Sequence, residues 1–261
     1  MKKIKKKKLK ITIITVCYNS EKTIQETLNS IKNQKFRKIE HLIIDGGSKD
    51  KTLKIIKKSH QAKKIISEPD DGIYDAMNKG IEIATGDIIG FLNSDDFYEN
   101  NYILSKVVKL FENNLYIDAC YSDLIYVDQN NTSKIVRLVK SSKFKEGLFS
   151  KGWCPPHPTF YVRRSVYERL GKFDLSYRIA SDVDLMMRFL EKYKIKSKYI
   201  PEVWVKMRIG GITNKSIKNI FIQNKEILKS FNKNKIRINL LKFFIYKIIS
   251  RLIQRFKKNY K

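Results

Sequence analysis

The chain has 261 residues, enough for one large domain or a domain with an appendage; its 42% hydrophobic and 11% aromatic content supports a packed core and excludes global disorder. Three widely spaced cysteines, Cys17, Cys120 and Cys154, exclude a disulfide framework and a zinc pattern and point to a reducing cytoplasm. A formal charge of +28 leaves three meanings open: a nucleic-acid partner, an anionic membrane surface, or lysine-rich composition alone.

The N-terminal MKKIKKKKLK is basic enough to open a signal peptide. The apolar run after it, ITIITV, is short and β-branched and no small-residue cleavage site follows, so residues 11–16 read as a first, buried strand. Ser20 caps a helix to about Gln34, with Ile24, Leu28 and Ile31 on one face. EHLIID (40–45) is a second strand that runs into Gly46 and Gly47, and Ser48 caps the next helix, with Leu53, Ile55 and Ile56 inward. AKKIIS (62–67) is a third strand. Pro69 and Gly72 break the chain before a helix over about 73–84, Gly86 ends it, and DIIGFL (87–92) is a fourth strand. A helix at about 101–113 follows. DACYSDLIYVD, SKIVRLVK and PTFYVRR then read as strands of a hairpin or mixed sheet, and Gly171 turns the chain. SDVDLMMRFLEKY is a helix with Leu185, Met186, Phe189 and Leu190 inward, and a strand lies near 197–205. No stretch reaches the roughly 18 uninterrupted apolar residues of a membrane span.

The rest of the chain differs in charge. From Ile212 onward Glu226 is the single acid. Within 236–257 apolar residues recur in pairs at helical spacing, with Lys242, Lys247, Arg251, Gln254, Arg255 and Lys257 between them. That is an amphipathic helix with a cationic polar face, which either lies in the interface of an anionic bilayer or packs on the domain with its lysines in water.

The βαβαβαβ order of the first half implies an α/β fold, a parallel sheet with helices on both faces. In such sheets ligands bind beyond the carboxyl ends of the strands. Those ends carry Tyr18 and Asn19, then Asp45 with its two glycines, then Glu68 to Asp71, and finally Asn93, Ser94, Asp95 and Asp96. Adjacent carboxylates at a strand end of so basic a chain suit Mg²⁺ or Mn²⁺, which take oxygen ligands from one or two carboxylates, water and substrate phosphate. Such an ion offsets the repulsion between Asp95 and Asp96 and bridges to an anionic nucleoside diphosphate. Read alone, the pair serves equally well to cap the helix that starts near residue 100.

Four segments, ITIITVCYNSEKTIQETLNSI, IIDGGSKDKTLKII, EPDDGIYDAMNKGIEIATGDIIGFLNSDDFY and IASDVDLMMRFL, occur in this order. Together they resemble family 2 glycosyltransferases of the GT-A fold, in particular bacterial members that build O-antigen, capsule or exopolysaccharide. The resemblance covers about residues 10–210. It implies a Rossmann-like, mostly parallel sheet flanked by helices, with the basic helical tail outside it. It implies that Thr15 and Tyr18 line the nucleotide-base pocket, that Asp45 hydrogen-bonds the base, and that Asn78 lies near the nucleotide, with Asp71 a weaker candidate. Asp95 and Asp96 match the family's metal-binding acidic motif and hold metal and ribose between them, although Asn93 stands where many members begin that motif with aspartate. Asp182 matches the family's catalytic base, Ser181 replaces the glutamate that often precedes it, and Asp184 is the competitor. Three residues have two readings each. His157 touches the acceptor or phosphate or orders its turn, Trp153 stacks on a sugar or belongs to the core, and Arg208 clamps a diphosphate or stands in solvent.

The expected protein is thus an inverting, metal-dependent hexosyltransferase. It takes a nucleotide sugar, with a UDP-sugar favoured, and an Mg²⁺ or Mn²⁺ cofactor. Its acceptor is a glycan, lipid-linked in the favoured case, in cell-surface polysaccharide biosynthesis. The expected organisation is a GT-A domain over 1–210, with a nucleotide-binding half at about 10–98 and an acceptor half at about 99–210, then a basic tail over 211–261. The expected partners include an anionic membrane surface and exclude nucleic acid. The expected location is cytoplasmic, peripheral on the inner face of the cell membrane. Two alternatives remain: a nucleotidyltransferase acting on sugar phosphates, which should carry a Gly-rich basic loop where CYNSEKT stands, and a nucleic-acid-binding protein. The sugar, the acceptor hydroxyl and the oligomeric state are not encoded legibly.

Overall fold

Strand β1 (Ile11–Cys17) is buried along its whole length, as a β-branched run without polar alternation requires when both faces of a sheet are covered. It pairs in parallel with β2 (Ile39–Asp45) on one side and β4 (Ile88–Phe91) on the other, and β2 pairs in parallel with β3 (Lys64–Ser67). These relations come from a computed structural model that describes residues 8–210 and 216–256. The basic segment 1–7, residues 211–215 and residues 257–261 lie outside the described residues.

The connections are helices with one apolar face. In α1 (Ile24–Lys32) Ile24, Leu28 and Ile31 are buried, as their spacing predicts. Helix α2 (Thr52–Ser59) starts later than expected: Asp50 accepts the Thr52 N–H at 2.9 Å, while Ser48 turns its hydroxyl to Asp45. Helix α3 (Ile73–Ile83) precedes β4, and Gly80 within it packs so near Ile14 of β1 that a Cβ would lie 2.5 Å from Ile14 Cγ2. Strand β3 is half-exposed at the sheet edge and shorter than its apolar run suggested.

The second half adds β5 (Phe97–Tyr98), α4 (Ile103–Asn113), β6 (Ala119–Val127), β7 (Ile135–Val139), β8 (Tyr161–Arg163), α5 (Arg164–Leu170), α6 (Ser181–Met187) and β9 (Ser197–Arg208). Helix α6 runs on into a π-helical turn over Arg188–Lys192. All strands belong to one mixed sheet of order β3-β2-β1-β4-β8-β6-β9-β5, with β7 paired to β6. Strand β8 is antiparallel to both β4 and β6, and so joins the parallel first half to the parallel pair β6 and β9. The fold is α/β with a mixed sheet flanked by helices, as expected; the two-residue β5 was too short to show any period in sequence.

Two helices follow, α7 (Ile217–Lys233) and α8 (Leu240–Phe256). The Ser216 hydroxyl caps α7 by accepting the Asn219 N–H at 3.1 Å. Ile227 and Phe231 of α7 and Phe243 of α8 join the core cluster that contains Ile14, Phe91 and Tyr121. The rings of Phe231 and Phe243 meet edge to face at 5.9 Å. Helices α7 and α8 therefore pack back on the sheet domain, a helix pair where the sequence reading marks only the second helix.

Glu40 of β2 ties three strands together. It accepts Lys10 Nζ at 2.6 Å, Thr12 Oγ1 at 2.7 Å, and the Thr85 N–H and hydroxyl at 2.7 and 2.5 Å. Burial pushes its carboxyl up, but these donors outweigh burial and hold the pKa down at about 2, against 4.5 unperturbed. The folded value lies below the unfolded one, so the stabilisation is present above pH 4.5 and is lost as pH falls toward 2. Glu40→Gln is expected to cost about 1–3 kcal/mol at pH 7. Urea denaturation at a series of pH values should show the gap from wild type closing between pH 4.5 and 2.

Candidate active site

The carboxyl ends of β1, β2 and β4 lie on one rim because the three strands are parallel. A cavity of about 870 Å³ opens there. After β1, Tyr18 projects into it and is 58% exposed. Asn19 takes a left-handed conformation, φ 48°, which an asparagine tolerates better than most residues. Its N–H donates to Ser48 Oγ at 2.9 Å and its Oδ1 accepts the Lys49 N–H at 2.9 Å, locking the β1 loop to the β2 loop.

Asp45 ends β2 but turns inward. It has no exposed surface; Oδ1 accepts the Ser48 hydroxyl at 2.5 Å and Oδ2 accepts the Ser67 hydroxyl at 2.6 Å and the Ser48 N–H at 3.1 Å. Thr15 is likewise fully buried, with its hydroxyl 3.0 Å from His41 Nε2. Both stand one layer behind the cavity surface. Asn78 is not brought to the cavity: its amide clips the Phe173 backbone, donating to the carbonyl at 2.9 Å and accepting the N–H at 3.0 Å. The carboxylate that does reach the cavity beside β2 is Asp70. Gly46 makes room for it, since a Cβ there would stand 2.4 Å from Asp70 Oδ2. Partial burial raises the Asp70 pKa.

The acidic turn after β4 is layered. Asn93, Ser94 and Asp95 line the cavity, and Ser94 Oγ lies 2.8 Å from Ser20 Oγ of the β1 loop. Asp96 sits behind them with no exposed surface, and neither of its carboxylate oxygens has a hydrogen-bond partner. Burial, reinforced by the Asp95 charge, pushes its carboxyl well above the ordinary range. Asn93 Oδ1 is also buried and unpartnered. Arg208, at the end of β9, is 6% exposed rather than solvated. Its Nη1 donates to the Asp95 carbonyl at 2.6 Å, its Nη2 pairs with Glu26, and its guanidinium lies 5.2 Å from the Phe97 ring centre.

Asp182, in the first turn of α6, lines the same cavity. Its Oδ1 accepts the Tyr74 hydroxyl at 3.0 Å and the Val183 N–H at 2.9 Å. Asp184 faces the other way and is 1% exposed, with Oδ1 accepting Ser230 Oγ at 2.6 Å and Asn234 Nδ2 at 3.0 Å. His157 lines the cavity between Phe91 and Phe173, at ring distances of 5.2 and 5.6 Å, and burial lowers its pKa, so the ring is neutral. Trp153 packs among Tyr121, Phe144 and Phe149, which places it in the core rather than on the cavity surface. Tyr74 was missed in the sequence because an aromatic at helical spacing reads as core; the identity of its hydroxyl's partners is visible only in the fold.

Among the described residues, no three His, Cys, Asp or Glu side chains converge as a complete metal cage. Asp96 nonetheless leaves two buried oxygens unsatisfied beside Asp95, an arrangement that costs free energy unless a cation or proton joins it. That donor set fits a hard divalent ion that takes one or two carboxylates and completes its shell with water and phosphate.

Comparison with known proteins gives a consistent result. A relative from Mycobacterium bovis, named PGL/p-HBAD biosynthesis glycosyltransferase, is 27% identical over 225 residues, covering 81% of this chain and 82% of the relative. An uncharacterized glycosyltransferase of Methanocaldococcus jannaschii is 29% identical over 86% of this chain and 80% of its own. Among solved structures, Staphylococcus aureus TarS 1–349 in complex with UDP superposes with a TM-score of 0.65 at 21% identity, over 89% of this chain and 67% of that one. The chain spans 40% of full-length TarS. The mannosyltransferase PcManGT of Pyrobaculum calidifontis, in complex with GDP-Man and Mn²⁺, superposes with a TM-score of 0.64 at 18% identity, over 94% of this chain and 69% of that one. These likenesses to solved structures support the GT-A fold. The model of the family described as Glycosyl transferase family 2 matches residues 12–171, more than half of the chain, so this protein belongs to that family and is a nucleotide-sugar glycosyltransferase.

Proposed function

We propose that the protein transfers a sugar with inversion from a nucleoside diphosphate sugar to a hydroxyl of a lipid-linked glycan acceptor, in cell-surface polysaccharide biosynthesis. The observation that carries this reading is that Asp95 and Asp182 line one cavity. The turn after β4 offers an acidic site for a metal–diphosphate complex, and Asp182 on α6 offers a proton acceptor. Family membership displaces the nucleotidyltransferase and nucleic-acid-binding alternatives. The ligands of the solved relatives, UDP-GlcNAc in TarS and GDP-Man with Mn²⁺ in PcManGT, support a nucleotide sugar with a divalent ion. A UDP-sugar is the donor we favour.

In this reading Tyr18 meets the base directly. Asp45 and Thr15 stiffen the loops around it, Asn78 ties α3 to the segment that leads to α6, and Asp70 adds a carboxylate to the same wall. Asp95 and Asp96, helped by Asn93 Oδ1, hold Mg²⁺ or Mn²⁺, which when bound neutralises charge on the departing diphosphate. Arg208 supplies a fixed cation beside the same turn. Both hydrogen bonds to Asp182 fall on Oδ1, which leaves Oδ2 to take the acceptor's proton. The acceptor oxygen forms its bond to the anomeric carbon as the bond from that carbon to the phosphate oxygen breaks. The nucleoside diphosphate leaves from the opposite face. Neutral His157 offers a hydrogen bond at the cavity surface without competing for that proton.

Helix α8 suits delivery of such an enzyme to a lipid-linked acceptor. Phe243 anchors it, while Leu241, Phe244, Ile245 and Ile249 are exposed next to Lys242. A Cβ on Gly152 would lie 3.2 Å from Lys247 Cβ, so α8 abuts the loop that leads to His157 and the cavity. No helix among the described residues is long and apolar enough to cross a membrane. Attachment in this reading is peripheral, through an apolar row flanked by cations, on the inner face of the cell membrane.

Three outcomes are expected. Asp182→Asn and Asp96→Asn each lower transfer by at least about 10³-fold, and only the second weakens Mn²⁺-dependent donor binding in calorimetry; full transfer in either variant removes that residue from the mechanism. Tyr74→Phe keeps the ring stacked on Phe173 and lowers kcat about 10-fold with donor affinity unchanged, measured by steady-state kinetics. Leu241→Glu with Ile245→Glu abolishes sedimentation with phosphatidylglycerol vesicles while transfer to a soluble acceptor persists; unchanged sedimentation would refute the surface-helix role.

A further inference from the structure

Glu226 is the single acid in the lysine-rich chain beyond Ile212. It is not used in a surface ion pair. Its Oε1 accepts the Arg178 N–H at 2.8 Å, and its Oε2 accepts the Ile179 and Ala180 N–H groups, both at 2.9 Å. Three successive backbone donors thus converge on one carboxylate, just before Asp182. Charge-assisted bonds of this kind are short, strong and geometrically restrictive.

The same face of α7 holds the rest of this segment. Residues 226, 229, 230, 233 and 234 lie on one side of a helix by their spacing. Lys229 Nζ donates to Ser176 Oγ at 3.2 Å, and Lys233 pairs with Asp174. Ser230 and Asn234 both donate to Asp184 Oδ1. Every one of these contacts falls within residues 174–184. Helix α7 is therefore a splint along the segment that carries Asp182.

Residue 179 is clamped from both sides. Its N–H is held by Glu226, and its carbonyl accepts the Tyr74 hydroxyl at 2.7 Å. That same hydroxyl lies 3.0 Å from Asp182 Oδ1. A shift of the 178–180 turn would move Tyr74's acceptor and Asp182 together, and displacement of a reacting group by about 1 Å can cost about 10²-fold in rate.

We propose that Glu226 is a positioning residue for transfer: by gathering the N–H groups of residues 178–180 it fixes the turn from which Asp182 reaches the acceptor, so that α7 completes the active site. This rests on the reading of Asp182 as proton acceptor. A scaffold role alone would lower stability and donor binding along with turnover. A positioning role lowers turnover while the donor-side turn at Asp95 and Asp96, held by its own contacts to Arg208 and Ser20, is untouched.

The test compares wild type, Glu226→Ala, Glu226→Gln and Asp182→Asn in the full chain. Glu226→Ala is expected to lower kcat 10- to 100-fold, to change donor affinity less than threefold, and to speed amide hydrogen exchange at 178–180 at least 10-fold while β1 and β2 amides stay protected. Glu226→Gln keeps one acceptor oxygen and is expected to fall between the two; it carries the test if the alanine variant does not fold. Unchanged kcat and exchange in a folded Glu226 variant would overturn the proposal, as would donor affinity falling in step with kcat. If Asp182→Asn is inactive while Glu226→Ala is normal, this inference alone fails. If Asp182→Asn retains full transfer, the proton-acceptor reading fails and the proposal with it.

Discussion

Parallel pairing places the carboxyl ends of β1, β2 and β4 on a single edge, and that constraint decides where this protein can do chemistry. The strands are largely apolar, and the polar residues inside β1 and β2 are paired with each other, Thr12 with Glu40 and Thr15 with His41, so the polar groups free to meet a ligand appear where the chain leaves the sheet. Three loops then compete for one rim, and they interlock: Asn19 with Ser48 and Lys49, Ser20 with Ser94, Asp45 with Ser67. The interlocking is what fixes the cavity wall. It also explains why some of the most polar residues near the rim do not face the cavity: Asp45 is taken up by Ser48 and Ser67, and Thr15 by His41 between β1 and β2.

Asp96 is the exception to this internal satisfaction. A carboxylate with two unpartnered oxygens in the interior is costly as an anion, and its raised pKa is the direct expression of that cost. Arg208 is close enough to moderate the field but directs its hydrogen bonds to the Asp95 carbonyl and to Glu26. The turn is thus held in shape by backbone contacts while the carboxylate itself is left available. In a chain of net charge +28 the surrounding positive field favours the ionised carboxylates, and Arg208 adds to that effect at Asp96; what opposes ionisation there is burial and the charge of Asp95.

The parts legible in the sequence were those governed by local periodicity and by strand ends. The β1, β2 and β4 runs, the inward faces of α1 and α3, and the placing of Tyr18 and Asp95 at strand ends on one rim follow from spacing; Asp182 came in only through the family resemblance. What the sequence hid depends on contacts between distant segments. The Tyr74 hydroxyl meets Ile179 and Asp182, more than a hundred positions away, and nothing near Tyr74 distinguishes it from a core aromatic. Asn78 has the composition of a ligand-binding residue, yet its amide matches the backbone of Phe173 so closely that a structural use takes it. Helix α7 escaped because its inward face is partly polar: Ser230 and Asn234 sit where a simple apolar stripe would be sought, and they do so to serve Asp184.

That last point bears on where the catalytic unit ends. Residues 12–171 carry the match to the family, and they contain the acidic turn but not Asp182. Asp182, the proton acceptor we propose, lies in the first turn of α6, where the helix leaves the 178–180 segment. Its orientation must come from neighbours. On one side Tyr74 of α3 supplies it; on the other, the Glu226 carboxylate, Ser230 and Asn234 of α7 do so. A segment rich in lysine, which by composition alone would be assigned to solvent or to a membrane, therefore holds the segment that leads into Asp182. The two helices divide along their faces: α7 directs polar side chains inward to residues 174–184, and α8, anchored by Phe243, is left with an apolar face outward. If the proposed roles hold, substitutions on α7 alter turnover and substitutions on α8 alter attachment, each without the other.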